Sequence, residues 1–298
     1  MPYYLEKNES FSEGIKRIGL EQNNMAIDAL ANDDSLHSGI HKARKHFKKL
    51  RALYRLVRDE VGHNIYKEGN VFYRDLGRKL ANLRDITSRI ETVDLLQELF
   101  GNMVNQEAFE VLRSLLEEER EAIREEEVEE ENKVEEAIEL LRQERNRFLE
   151  LPVRDRCLKN TMASLHRVYQ RGYKGFHKSL GNPSVEDMHE WRKRVKYLWY
   201  HYRLLRQGWP RVFRAYKKET KVLADFLGDY HDLALLMEKM ESYQEHLPAE
   251  ARKVLSALAS SHQHELLKKA RKAGKLIYAE PPKVFIRRMR EILDGNLL

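Results

Sequence analysis

The chain has 298 residues, 42% of them hydrophobic, with a single cysteine and a formal charge of +6. That length and apolar content suit one large folded domain or two ordinary ones and exclude a disordered chain. One cysteine, Cys157, excludes an intramolecular disulfide and a cysteine-based metal cluster, and no stretch approaches the roughly 18 apolar residues of a membrane-spanning helix.

The start, Met1-Pro2-Tyr3-Tyr4-Leu5-Glu6-Lys7, lacks the regions of a signal peptide, so a reducing, cytoplasmic setting without membrane partners is expected. With only 14 Gly and 7 Pro, and Leu, Glu, Lys, Arg and Ala dominant, the composition predicts an all-α protein. Residues Glu117 to Glu136 hold twelve Glu against Arg120, Arg124 and Lys133; that window carries −9, which leaves +15 on the remainder of a +6 chain. A basic remainder of this size points to a polyanion: nucleic acid, polyphosphate, a phosphorylated small molecule or an anionic surface.

In chain order, apolar recurrence predicts a helix over Phe11 to Leu30, and Asp34 or Ser35 can cap the next one. That next helix is strongly basic and runs to about Asp59, with Gly62 beyond it. A further helix covers about Val71 to Leu99, and one or two long helices fill Asn105 to Glu150 with the acidic run, whose charges are expected on an exposed side. Pro152 opens a second half in the same order: a helix from about Val153 to His177, in which Gly172 and Gly175 read as weak points, and a Gly181-Asn182-Pro183 turn. Ser184 and Asp187 then read as a capping pair that starts a second basic helix, closed by Gly208-Trp209-Pro210. Helices at about Val212 to Glu245 and Pro248 to Ala273, and a short one after Pro281-Pro282, complete the chain.

The two basic helices are copies. Eighteen residues from His41 to Arg58 align without gaps on His189 to Arg206, with nine identities: His41/His189, Arg44/Arg192, Lys45/Lys193, Lys48/Lys196, Leu50/Leu198, Tyr54/Tyr202, Arg55/Arg203, Leu56/Leu204 and Arg58/Arg206. At about 100° per residue, His41, Arg44, Lys45, Lys48, Arg51 and Arg55 share one flank, with Lys49 beside it, opposite Ala43, Phe47, Leu50, Tyr54 and Val57. In the second copy His189, Arg192, Lys193, Lys196 and Arg203 oppose Trp191, Val195, Leu198, Tyr202 and Leu205. Like charges three and four residues apart repel unless something compensates them. A cationic row built twice without interleaved carboxylates therefore suggests that the counter-charge comes from a ligand.

Repetition continues into the following helix, where Leu76 to Asp85 matches Leu223 to Asp232. Gly77, Ala81, Ala224 and Gly228 read as sites of close helix approach. Arg84 with Asp85, and His231 with Asp232, read as groups that orient basic side chains of the neighbouring helix.

These residues resemble the CHAD domain, the conserved-histidine α-helical domain, through the duplicated His-x-x-Arg-Lys-x-x-Lys signature and the Leu-(Gly/Ala)-x-x-(Arg/His)-Asp helix after each copy. The resemblance spans about Phe11 to Leu293. It implies an all-helical fold of two four-helix bundles related by an internal pseudo-two-fold, residues 1–150 and 151–298, which together make one domain. It also implies binding of inorganic polyphosphate in a shared basic cleft, by His41, Arg44, Lys45, Lys48, His189, Arg192, Lys193 and Lys196; a non-enzymatic role at polyphosphate granules is the expectation built on this. The triphosphate hydrolase domain often fused to family members, with its ExExK strand pattern, has no counterpart in this sequence. Trp191, Trp199 and Tyr200 crowd the second helix, so its row is expected to bind less strongly than the first.

The chemistry suits such a ligand. Arg offers bidentate forks, Lys mobile charges, and His a group that gains charge as a polyanion approaches. On this basis binding is expected to tighten as pH falls from about 8 to 6, through His41 and His189. Two other uses of the same rows stand beside this one: nucleic-acid binding, and service as a regulatory subunit of a phosphohydrolase. The bland alternative is a solvated helix face copied with its scaffold. His37/His41 and His262/His264 lack the companions of a metal site, and no phosphate loop or nucleophile triad is present. No cofactor, metal or catalytic residue is therefore assigned, and Cys157 reads as a small buried apolar group.

Overall fold

The computed structural model describes residues 3–33, 35–80, 82–124, 127–155, 158–295 and 297; the side chains of 82–85, 124 and 127–131 lie outside that description. Among the described residues the regular structure is helical throughout, with no strand.

Local chemistry sets several helix ends. α1 (Phe11–Asn32) begins in a capping box: Glu13 N donates to Ser10 Oγ at 3.3 Å and Ser10 N to the Glu13 carboxylate at 2.9 Å. α2 (Leu36–Leu56), the first basic helix, is capped by Ser35, which accepts from Ser38 N at 3.2 Å. It stops three residues earlier than expected, at Leu56, and a single turn, α3 (Arg58–Val61), follows before Gly62 turns the chain at φ +87°. The break has a partner-driven reason. It carries Asp59 to Ser164 and Arg167, each at 3.0 Å, and Glu60 to Arg154 at 2.7 Å and Asn160 at 2.6 Å, all in the second half.

The expected helix over Val71 to Leu99 is two: α4 (His63–Lys79) and α5 (Asn82–Phe100). The acidic segment is also two, α6 (Glu107–Arg124) and α7 (Glu127–Leu149). Where its side chains are described, Glu119 reaches Lys239 at 2.6 Å and Glu117 pairs with Arg113, so the run is not a uniformly solvated face. In the second half α8 (Leu158–Ser179) and α9 (Val185–Leu204) follow, α9 opening in the anticipated Ser184/Asp187 box at 3.2 and 3.1 Å. A 3-10 turn at Arg206–Gly208 leads to α10 (Pro210–Ser242), α11 (Ala249–Ile277) and α12 (Pro282–Leu293). Cys157 lies outside the described residues.

Two hydrophobic clusters hold the helices, and both draw on both halves of the chain. The larger joins α1, α2, α4 and α7 to α8, α9, α10 and α12. The smaller packs α5 and α6 against Leu233, Leu236 and Met240 of α10 and Leu255, Ala259 and Leu266 of α11. α2 and α9 cross between the halves, where the His201 ring Nε2 meets the Ala52 carbonyl at 3.1 Å. The N-terminal segment ties the same crossing: Leu5 N donates to the Leu204 carbonyl at 3.0 Å, and the Tyr3 hydroxyl to the Lys49 carbonyl at 2.7 Å.

Glycines do different work from that expected. A Cβ on Gly77 or Gly228 would meet its nearest neighbour at 3.6 Å, an ordinary contact, so neither marks a close crossing. Crowding occurs elsewhere, as at Gly175 and Gly274, where a Cβ would come within 2.8 Å of Trp191. Gly175 and Gly172, expected as weak points, are instead seats for Trp191 and Tyr278, because an indole or phenol ring needs the volume of a missing side chain.

Candidate functional site

Burial divides the two basic helices as their periodicity requires. Ala43, Phe47, Leu50, Tyr54 and Val57 of α2, and Trp191, Val195, Leu198, Tyr202 and Leu205 of α9, are all buried. On the other flank Lys45 and Lys48 are exposed, while His41, Arg44, Lys49, Arg51, Arg55, His189, Arg192, Lys193, Lys196 and Arg203 are half-buried. His41, Arg44 and Lys48 each engage a neighbouring group. Half-burial matters chemically, because a cation stripped of part of its water interacts more strongly with the next charge it meets.

Along α9 the row is built against α10. The His189 and His231 rings lie 4.3 Å apart, and the Arg192 guanidinium covers Gly228. His189 Nδ1, His231 Nδ1 and Arg192 Nε are buried without a hydrogen-bond partner. Three such atoms on neighbouring side chains are a costly arrangement unless a binding partner satisfies them. Burial, then Arg192, His189 and Lys193, push the His231 imidazole down to about 4; burial followed by Lys193 and Arg192 lowers His189. In the free protein both rings are thus held below the ordinary imidazole value, His231 furthest.

Further along, burial lowers Lys196 and Arg192 adds to the effect, while Asp225 and Asp232 oppose it. The side chains of Arg84 and Asp85 lie outside the described residues. Glu190, within the second copy itself, takes Arg194 at 2.7 Å and also pairs with Lys193, so part of this row is compensated locally.

The two rows meet at the α2–α9 crossing. Lys49 is pushed down to about 8, by burial first and then by Arg203 and Lys45. Arg203 lies over the rings of Trp199 at 4.8 Å and Tyr3 at 5.0 Å, and Lys196 over Trp199 at 5.5 Å. Trp199 is thus a floor shared by two cations of the second row. His46, beside Lys49 and Lys45, is pushed down to about 4, chiefly by burial.

A second meeting lies elsewhere along the crossing. Arg55 stacks on Tyr197 of α9 at 3.9 Å, and burial followed by neighbours that include Arg51 and Arg194 lowers its guanidinium. Arg51 itself donates to Asn70 at 3.2 Å. Around Arg55 a small cleft gathers Arg58, Arg167, Arg171 and Arg194, none of them singled out from the sequence. Arg58 closes the repeat and was visible among the identities; Arg194 sits within the second copy but off its stripe. Arg167 and Arg171 lie four apart on α8, and only the tertiary packing aims them here. A larger groove of about 650 Å³ along α1 is lined by Glu13, Glu21 and Asp28 against Lys16, Arg17 and Arg145, a balance that gives an anion no advantage. Among the described residues no group of three His, Cys, Asp or Glu is placed to hold a metal ion, and no helix is long and apolar enough to cross a membrane.

Comparison with known proteins agrees with this architecture. No curated protein matches the sequence. A crystal structure of the CHAD domain from the plant Ricinus communis is similar in fold, with a TM-score of 0.66 at 16% identity over 94% of this chain and 95% of that one. Residues 23–241, which include both basic helices and the helices after them, match the family model of the CHAD domain. The chain belongs to the CHAD domain family.

Proposed function

We propose that this protein binds inorganic polyphosphate without transforming it, as a tether or organiser at polyphosphate granules. The observation that carries this reading is the meeting of Lys49 with Arg203 and Lys45, three cations from two helices whose mutual repulsion and burial hold an ammonium group down at about 8. A fold gains nothing from such a junction unless an anion relieves it. A phosphate chain has about one negative charge per unit and no base or sugar to recognise, and it suits a row of Arg forks and mobile Lys charges. In this reading residues 1–150 and 151–298 are the two halves of a duplicated unit, and one phosphate chain crosses from the α2 row to the α9 row through a shared basic cleft.

Competition and charge reversal test it. Long-chain polyphosphate is expected to displace bound nucleic acid at much lower concentration than the reverse, and binding is expected to weaken steeply with salt as condensed counterions are released. Reversing Lys45 and Lys193 to Glu together is expected to lower affinity more than reversing Lys7 and Lys16. Equal losses would show diffuse attraction and overturn a directed site. Preferential retention of nucleic acid would move the function to that ligand, and phosphate release from polyphosphate with Mg²⁺ would make the protein a hydrolase or its subunit.

A further inference from the structure

The cleft between α2, α3, α4, α8 and α9 differs in kind from the open rows. It holds only about 20 Å³ of water-sized space, enough for the tip of one tetrahedral group and too little for a chain to thread. Five guanidinium groups line it, those of Arg55, Arg58, Arg167, Arg171 and Arg194. Two tyrosines hold three of them by their ring faces: Tyr197 carries Arg55 at 3.9 Å and Arg194 at 5.9 Å, and Tyr66 carries Arg58 at 4.6 Å. Stacking fixes a guanidinium while leaving its in-plane N–H groups for an oxygen acceptor.

Two carboxylates serve this group, Asp59 on Arg167 at 3.0 Å and Glu190 on Arg194 at 2.7 Å. Arg55, Arg58 and Arg171 have no ion pair among the described residues, so three positive charges remain around a space the size of one water. Burial lowers the Arg171 guanidinium and Arg194 lowers it further, while Glu190 and the two tyrosines oppose them in part.

We infer that this cleft captures the terminal phosphate of a phosphate chain end-on, while the rows along α2 and α9 hold its internal units. The inference rests on the polyphosphate reading for the identity of the chain. An internal unit offers two free oxygens and one charge. A terminal unit offers three, and like a phosphomonoester it takes a second negative charge with a pKa of about 6. A compact cage of arginine forks complements the higher charge density and the three-oxygen end.

A short linear polyphosphate, in excess over protein, is compared with the same polymer whose ends are blocked as phosphoramidates, by calorimetry on the whole protein at pH 8. Blocking the ends is expected to weaken binding about tenfold, the worth of one charge-assisted hydrogen-bonding contact. In Arg171→Gln and Arg167→Gln, both at exposed side chains, affinity for the unblocked polymer is expected to fall to that of the blocked one, and blocking to have no further effect. If the wild-type protein binds blocked and unblocked polymer equally, end capture is overturned and polyphosphate binding stands. If it binds neither, the polyphosphate reading falls and this inference with it.

Discussion

Lys49 shows how far a single residue's chemistry depends on neighbours remote in sequence. An exposed lysine titrates near 10.4; this one is pushed down to about 8 by burial, Arg203 and Lys45. A bound polyanion favours the charged ammonium, so its pKa rises on binding and a proton is taken up. The sign follows: affinity falls as pH rises through and above about 8, and proton uptake is largest between that value and the raised pKa of the complex. Calorimetry at pH 8 in two buffers of different ionisation heat is expected to report uptake by the wild-type protein and much less by Lys49→Met; equal uptake would remove Lys49 from the site. Burial first, and then the cations that make the row attractive to phosphate, lower His189 and hold His231 down at about 4.

At the scale of elements, spacing alone put the cationic and apolar stripes of α2 and α9 on opposite flanks, because 3.6 residues per turn leaves little freedom once one face is buried. Helix ends were less legible. Ser35 and Ser184 announce their caps by chemistry, but α2 stops at Leu56 so that Asp59 and Glu60 can reach α8, and no local signal marks that. Glycine spacing misled for a similar reason, since a small residue beside leucines looks the same whether it faces a backbone or a guanidinium. Opposite signs are expected for two substitutions. Gly274→Ala would drive a Cβ within 2.8 Å of Trp191 and 2.7 Å of Phe176 and is expected to cost about 1–3 kcal/mol. Gly228→Ala has room beneath Arg192 at 3.6 Å and is expected to gain about 0.5–1 kcal/mol from helix propensity. Urea unfolding of both variants measures this; a destabilised Gly228→Ala would show that Arg192 needs the bare backbone.

Across the whole molecule the two halves are joined by buried contacts, and one of them titrates. His201 is fully buried, its imidazole pushed down to about 4 by burial, and it meets the Ala52 carbonyl of the other half at 3.1 Å. Its folded pKa lies below the ordinary value of about 6.5, so between those values the unfolded chain binds more protons. Stability is therefore expected to fall as pH drops from about 6.5 towards 4, by up to about 1.4 kcal/mol per pH unit from this group. His201→Gln, which keeps an N–H donor but does not titrate, is expected to flatten the dependence of the urea midpoint between pH 7 and 5; an unchanged slope would assign the loss to other groups, such as the half-buried His46 and His231.

By itself the sequence determined the helical class, the duplicated basic helices and the family, because each rests on composition, on period or on residues adjacent along the chain. Only the tertiary structure decided which cations meet. Arg203 beside Lys49, Arg171 beside Arg194 and the paired rings of His189 and His231 are products of helix crossings, and their charges and proton affinities follow from desolvation and distance, which exist only once the helices have packed.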